Sequence, residues 1–342
     1  MVNNERIREI VKTVLKKSFF DYYSHAQDKT KHLVLDRIFP KQRRITSYMA
    51  GLQTSLGTKF WENIARELAD ENSFEIIKNS NLQKPRSVPN NLSSLIERIK
   101  IERENNGGTL DNFKHELNNL FPRAYPNEIY DPMTKGKGVD LILRKDGNVY
   151  IFDIKTVQVN ANNGNSFNES VLLWIAYYKY KSGINANNIY AGFVFPYNSS
   201  NELDDTTWWT DYGERVKPLT HDDVYVGNEF WSFLTDNDDA INAIISAIDE
   251  LASDNDFCNL FLEVFDCESQ DALENFAKKI RVKNIEITKN ITFLLPYEEI
   301  TNFHRKYDWI HSEECEGFKA RISELSNHDF VCPTCGEMIS SG

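Results

Sequence analysis

The stretch that most constrains the fold is Gly138–Lys155, GVDLILRKDGNVYIFDIK. Its two runs, Val139–Leu143 and Val149–Lys155, are rich in β-branched and aromatic residues, and Asp146-Gly147 lies between them. Asp-Gly between such runs is a strong β-hairpin signal, because both residues tolerate positive φ. With Asp146-Gly147 at the turn, Arg144 faces Val149, Ile142 faces Ile151, and Asp140 faces Asp153. Side chains alternate along a strand, so Lys155 joins the two aspartates on one face. The other face carries Val139, Leu141, Leu143, Tyr150, Phe152 and Ile154, and is expected to be the core side.

Directly opposed Cβ atoms lie roughly 4.5–5.5 Å apart, where two carboxylates repel unless a cation stands between them. Two carboxylates in an oxygen-rich pocket suit Mg²⁺, which takes a few protein oxygens plus waters and substrate phosphate oxygens. A lysine two residues on can hold the attacking water or offset charge at the phosphate. The chemistry implied is metal-assisted phosphodiester hydrolysis. The plainer reading is a solvent-exposed hairpin with a polar face. Against it, Asp153 interrupts a run that is otherwise apolar.

No run of eighteen apolar residues occurs in the 342-residue chain, so no transmembrane helix or membrane partner is expected. The N-terminus reads as a charged amphipathic helix over 4–20, not a signal peptide, which points to the cytoplasm. The five cysteines are then not expected to pair in structural disulfides. A net charge of −12 argues at first against nucleic acid, but its distribution does not: residues 1–110 carry net +6, 111–200 net +1 and 201–342 net −19. The first two-thirds can face DNA.

Taken in order, Thr30–Phe39 reads as a helix stopped by Pro40, and Lys41-Gln42-Arg43-Arg44 as a basic loop. Thr58 is expected to cap a helix running to about residue 71, with Trp61, Ile64, Ala65 and Leu68 inward. Glu62 sits at the edge of that stripe and is a candidate third carboxylate. The competing reading is a surface glutamate favoured by the helix dipole. Helices are expected over Leu92–Asn105 and Leu110–Phe121, and Glu116 on the latter is a rival for the third acid. Lys135 and Lys137 precede Asp140 in a basic, glycine-rich connector. A helix over 166–181 and an apolar strand within Asn188–Pro196 complete an α/β (α+β) core. Asn201–Phe230 reads as loops with one short strand near Val224, and His221 there is a weak metal candidate. Asp236–Lys279 is acidic and helical, and Ile285–Leu295 resembles a strand.

At the C-terminus, His311-x₃-Cys315 and Cys332-Pro-Thr-Cys335-Gly336 have the residue types and spacing of a tetrahedral Zn²⁺ site. His304 and His328 are alternatives to His311. Four protein ligands would close the site and make it structural. The competing reading is an incidental or redox-active Cys-x-x-Cys. The resulting organisation is 1–230, a nuclease region with N-terminal helices; 231–300, an acidic helical region; and 301–342, a zinc-binding module.

Asp140 followed by Asp153-Ile154-Lys155 resembles the PD-(D/E)XK nuclease signature, with Val139 where a proline would stand. Ser55-Leu-Gly-Thr-x-x-Trp61-Glu62 upstream, and Lys155-Thr-x-Gln-x-Asn160 with Leu172-Leu-Trp174 downstream, look like one branch of type II restriction endonucleases, similar to enzymes cutting GGNCC. The resemblance covers roughly residues 40–200. It implies a restriction-endonuclease-like mixed sheet flanked by helices, with Asp140 and Asp153 binding Mg²⁺, Lys155 handling the water and Glu62 as accessory acid. It also implies double-stranded DNA as substrate, a homodimer on a palindromic site, and a companion DNA methyltransferase. Other readings are a structure-selective repair or recombination nuclease of the same fold, and a non-catalytic zinc-containing DNA-binding protein.

Overall fold

The computed structural model describes residues 1–25, 32–156, 159, 163–198, 205–267, 269–289, 292–293, 307–310, 318–320, 330–336 and 338–339. Helices α1 (Asn4–Tyr23), α2 (Leu35–Ile38) and α3 (Pro40–Ser55) are followed by a π-helical turn (Leu56–Phe60) and α4 (Trp61–Glu71). Strands β1 (Glu75–Ile77) and β2 (Gln83–Pro85), helices α5 (Asn90–Asn106) and α6 (Asp111–Leu120), and strand β3 (Tyr130–Pro132) lead to the hairpin β4 (Leu141–Lys145) and β5 (Asn148–Ile154). Then come α7 (Asn163–Ser182), β6 (Ile189–Phe195), α8 (Asp205–Val216), β7 (Val224–Val226), α9 (Asn228–Thr235), α10 (Ala240–Ala252), α11 (Asn255–Leu262) and α12 (Gln270–Lys289). Short strands β8 (Thr292–Phe293), β9 (Tyr307–Ile310), β10 (Phe318–Ala320), β11 (Phe330–Val331) and β12 (Met338–Ile339) follow. The chain divides into two compact units, Met1–Val14 with Leu56–Asp249, and Leu15–Ser55 with Glu250–Gly342.

The first unit is built on a five-stranded mixed sheet of order β1-β4-β5-β6-β7. The β1, β4 and β5 strands pair antiparallel, whereas β5, β6 and β7 run parallel. The hairpin register is the one its turn dictates, with Arg144 on Val149, Ile142 on Ile151 and Leu141 on Phe152. Asp146 and Gly147 both take positive φ, as this turn requires. Joining β5 to β6 in parallel needs a crossover, and α7 supplies it.

Both faces of the hairpin are core, which corrects the single apolar face expected from alternation. Ile142, Val149 and Ile151 pack with α5 and α7 in the main cluster, where Val171, Leu172, Trp174 and Ile175 are buried. On the opposite face Phe152 meets Tyr225, Phe230 and Phe233 at centroid distances of 5.1, 5.7 and 6.0 Å. Parallel neighbours β6 and β7 bring helices to both faces, and strands in such sheets are buried on both sides.

Several local expectations are corrected. Pro40 starts a helix instead of stopping one: at the first helical position its fixed φ suits the helix and its missing N–H costs no hydrogen bond. The basic run Lys41–Arg44 therefore lies in α3. Thr58 does not cap α4, because the helical path continues from α3 through the π turn. Helix α8 replaces an expected loop. Its buried Trp208, Tyr212 and Val216 recur every four residues, a helical stripe masked by the β-prone Trp and Thr around it. Residues 285–289 continue α12, so only Thr292–Phe293 of the expected strand forms.

In the second unit, Phe20 and Tyr23 of α1 meet Phe261 at 5.2 and 5.0 Å, and Tyr23 also meets Phe276 at 6.0 Å. Arg44 donates to the carbonyl of Cys267, and Arg43 pairs with Asp36. Strands β8, β9 and β10 form one antiparallel sheet, and β11 with β12 a separate hairpin. Among the described residues no helix is long and apolar enough to cross a membrane.

Candidate active site

The site lies where the β4–β5 ladder ends. Asp140 stands one residue before β4 and opposite Asp153 of β5. Its N–H donates to the Phe152 carbonyl at 2.9 Å, and its Oδ2 accepts from the Ile154 N–H at 2.9 Å. The hairpin thus holds both the backbone and the carboxylate of Asp140. Asp153 precedes the point where Lys155 leaves the strand with its N–H on the Val194 carbonyl of β6, at 2.7 Å. The Lys155 ammonium lies 2.5 Å from Asp153 Oδ2 and 5.8 Å from the Phe193 ring centroid.

Burial pushes the Asp153 carboxyl up to about 7. Lys155 opposes that shift, and a hydrogen bond and charge from Asp140 add to it. The two carboxyl groups are therefore in contact, and Asp153 exchanges its proton around neutrality. The side chains of Asp153 and Lys155 keep 14% and 32% of their exposure, so solvent reaches the pair.

Of the sequence-predicted residues, the structure brings Asp140, Asp153 and Lys155 together and joins Glu62 to them indirectly. Glu62 lies in the first turn of α4. Its Oε1 accepts from Arg66 Nε at 3.0 Å and Nη2 at 2.9 Å. The same Nη2 reaches Asn79 Oδ1 at 3.0 Å and the Asp140 carbonyl at 2.6 Å. Asn79 Nδ2 also donates to that carbonyl, at 2.8 Å. The rival acid Glu116 is engaged by Arg98 of α5 and, at 3.2 Å, by Asn112 of its own helix.

Arg66 and Asn79 are the residues that sequence reasoning missed. The Glu62/Arg66 spacing of four, acid first, is a helical pairing signal. Nothing local marks Asn79, whose partner is 61 residues away. Gly57, in the π turn, sits beside the site: a Cβ there would lie 3.0 Å from Thr156 Oγ1, so the glycine permits the approach.

Other candidates lie elsewhere. Lys137 is held by α7, its ammonium 2.7 Å from Glu169 and 3.1 Å from Ser170 Oγ. The His221 ring lies tilted against Trp209 at 4.0 Å, and nearby Asp223 is paired with Arg103, so the two are not arranged as a metal site. Of the zinc candidates, Cys332 and Cys335 lie in the turn between β11 and β12. There the Gly336 N–H donates to the Cys332 carbonyl at 2.9 Å with φ of 75°. His311, Cys315, His304 and His328 fall outside the described residues. Among the described residues no three acidic, His or Cys side chains form a ready metal cage. The donor set at Asp140 and Asp153 is two adjacent carboxyl groups, oxygen donors of the kind a divalent cation takes together with its own waters.

Comparison with known proteins agrees with this arrangement. The family described as "Type II restriction endonuclease, HinfI" matches residues 3–252. The chain is also similar to "Type II restriction enzyme MjaII" of Methanocaldococcus jannaschii, 24% identical over 228 residues. That match takes in 64% of this chain and spans 59% of the relative's length. No solved structure matches. The family match runs through both aspartates, Lys155, the Glu62–Arg66 pair and the whole mixed sheet that positions them: the chain belongs to the HinfI family of type II restriction endonucleases.

Proposed function

We propose that the protein is a Mg²⁺-dependent type II restriction endonuclease that hydrolyses double-stranded DNA at a specific site, of the GGNCC-like kind. The observation that carries the reading is the Asp153 carboxyl group in contact with that of Asp140 on one side and with the Lys155 ammonium, at 2.5 Å, on the other. Asp140 and Asp153 hold the cation, and Glu62 is the accessory acid. A bound Mg²⁺ supplies Lewis acidity at the scissile phosphate. Asp153 would hold the cation in its carboxylate form. Lys155, freed in part from its carboxylate partner, orients the attacking water and offsets charge on the phosphoryl oxygens. The water oxygen bonds to phosphorus as the ester P–O bond breaks; the water proton passes to solvent, and the leaving sugar oxygen takes a proton from solvent.

The nuclease region, 1–230, carries the positive part of the chain and faces the DNA. The acidic region, 231–300, separates it from a structural zinc module, 301–342, held by His311, Cys315, Cys332 and Cys335. The β11–β12 turn, with Gly336 in the left-handed region behind two cysteines, supports that module. The enzyme acts as a homodimer in the cytoplasm, beside a companion DNA methyltransferase that protects the host's own sites.

The test is digestion of phage-length DNA with Mg²⁺, with EDTA, and with Asp153→Ala. Discrete bands lost in both controls are expected. A smear points to a non-specific or structure-selective nuclease, and intact DNA that is still shifted in a gel sinks the enzyme reading.

A further inference from the structure

The carbonyl oxygen of Asp140 accepts two side-chain hydrogen bonds, from Arg66 at 2.6 Å and Asn79 at 2.8 Å. A backbone carbonyl at a strand end is ordinarily served by one neighbour or by water. Here a guanidinium and a carboxamide converge on it, and the two donors are also joined to each other at 3.0 Å. The same Arg66 Nη2, together with Nε, also donates to Glu62 Oε1. Arg66, Glu62, Asn79 and Asp140 thus form one planar-fork network. Its charges are balanced between Arg66 and Glu62, and the Asp140 carbonyl accepts from both side chains. The side chains of Arg66 and Glu62 retain 24% and 26% of their exposure, so the network is partly dry and its bonds exceed those of a surface pair.

Both ends of Asp140 are held from different elements. The hairpin fixes its N–H and its Oδ2, and α4 with the β1–β2 connection fixes its carbonyl. A residue one position outside a strand ladder otherwise frays. A carboxylate that must present oxygen to a metal and a phosphate cannot tolerate that motion, since roughly 1 Å of misplacement costs on the order of 100-fold in rate.

We propose that Arg66 and Asn79 are positioning residues that clamp Asp140, and that Glu62 acts through Arg66 and is not itself a metal ligand. The proposal rests on the nuclease reading for its rate consequences, but not for its effect on metal binding. Glu62 contributes by holding the guanidinium fork in the plane where Nη2 reaches the Asp140 carbonyl.

The test measures direct Mn²⁺ binding to the DNA-free protein by electron paramagnetic resonance, alongside single-turnover DNA cleavage. Removing a cation beside a dication site would by charge alone tighten Mn²⁺ binding. The clamp requires the opposite: Arg66→Met weakens Mn²⁺ binding about fivefold or more and lowers the cleavage rate about 100-fold, with DNA affinity within about threefold of wild type. Arg66→Lys keeps the charge but lacks the fork, so it behaves as Arg66→Met. The double variant Glu62→Ala/Arg66→Met is no worse than Arg66→Met alone, because residues acting in one chain of contacts are not additive. Asn79→Ala removes one of the two donors and gives a smaller loss. It serves as the variant of record where Arg66→Met fails to fold.

Unchanged or tighter Mn²⁺ binding by Arg66→Met overturns the clamp. So does a Glu62→Ala loss of Mn²⁺ as complete as that of Asp140→Asn, or a double variant whose losses multiply. Wild-type protein that binds Mn²⁺ and cuts no DNA overturns the nuclease reading, and the clamp is then decided by the Mn²⁺ measurements. Wild-type protein that binds no Mn²⁺ overturns both.

Discussion

Asp153→Asn is expected to abolish cleavage and, in the metal-free protein, to raise stability at alkaline pH. The wild-type carboxyl is pushed up to about 7, chiefly by burial, from an ordinary value of 3.8. A tenfold change in proton affinity is worth about 1.4 kcal/mol, so this gap corresponds to about 4 kcal/mol. Between pH 4 and pH 7 the folded state binds the proton more tightly than the unfolded state does. Wild-type stability contributed by this group is therefore complete below pH 4, declines as pH rises, and is lost above pH 7. Asparagine mimics the protonated acid at every pH.

The variant should thus match wild type near pH 4.5 and exceed it at pH 8. The ceiling is about 4 kcal/mol, and relaxation and water entry around the buried charge reduce it to about 2–4 kcal/mol. For a unit of this size that is about 5–10 °C in Tm. Lys155 loses its carboxylate but keeps access to water, so the change does not strand a buried cation. The assay is thermal unfolding in EDTA across pH 4.5–8.5. A variant less stable than wild type at pH 8, or a difference in Tm that does not change with pH, would refute burial as the cause of the shift.

Four other outcomes follow from the same structure. Because a proton and a divalent cation compete for Asp153, the Mg²⁺ concentration for half-maximal cleavage should rise about tenfold per pH unit below pH 7 and level off above it; a flat metal requirement between pH 6 and 8 contradicts this. Arg103→Met leaves the fully buried Asp223 carboxylate without its partner and should cost about 3–5 kcal/mol in chemical denaturation, with much of the loss recovered by adding Asp223→Leu. Gly192→Ala places a Cβ 2.5 Å from the Asp223 carbonyl, a backbone atom that cannot swing aside, and should cost about 1–3 kcal/mol with no change in metal binding. Cys332→Ser should lower the metal content by one zinc per chain, read by elemental analysis, while a chain that carries no zinc as purified rules the module out.

Legibility followed the range of the interactions. The hairpin register, α1, α5, α6 and α7, and the meeting of Asp140 with Asp153 and Lys155 depend on contacts within a dozen or so residues, and turn chemistry and periodicity report these directly. The elements that were misjudged depend on distant packing. Pro40 is equally a stop and a start until the next helix is seen. Trp208, Tyr212 and Val216 form a helix because the core needs an apolar stripe there, against the local preference of the residues between them. Asn79 could not be read at all, since its role exists only where the chain returns beside Asp140.

The error about the hairpin's buried face carries the most functional meaning. Alternation placed the core on the face opposite the two aspartates and left their own face polar. In the structure Ile142, Val149 and Ile151 are fully buried on the same face as Asp153, under α5 and α7. A charge in that position is costly unless it is paired, and Asp153 has one lysine and one competing carboxyl to share. The result is a carboxyl whose proton affinity is raised, with 14% of its side chain still open to solvent. On the proposed mechanism a divalent cation would compete with that proton, and with the lysine, for the same carboxylate. The burial that the sequence pattern concealed would then link metal binding at Asp153 to the freedom of Lys155 to reach the attacking water.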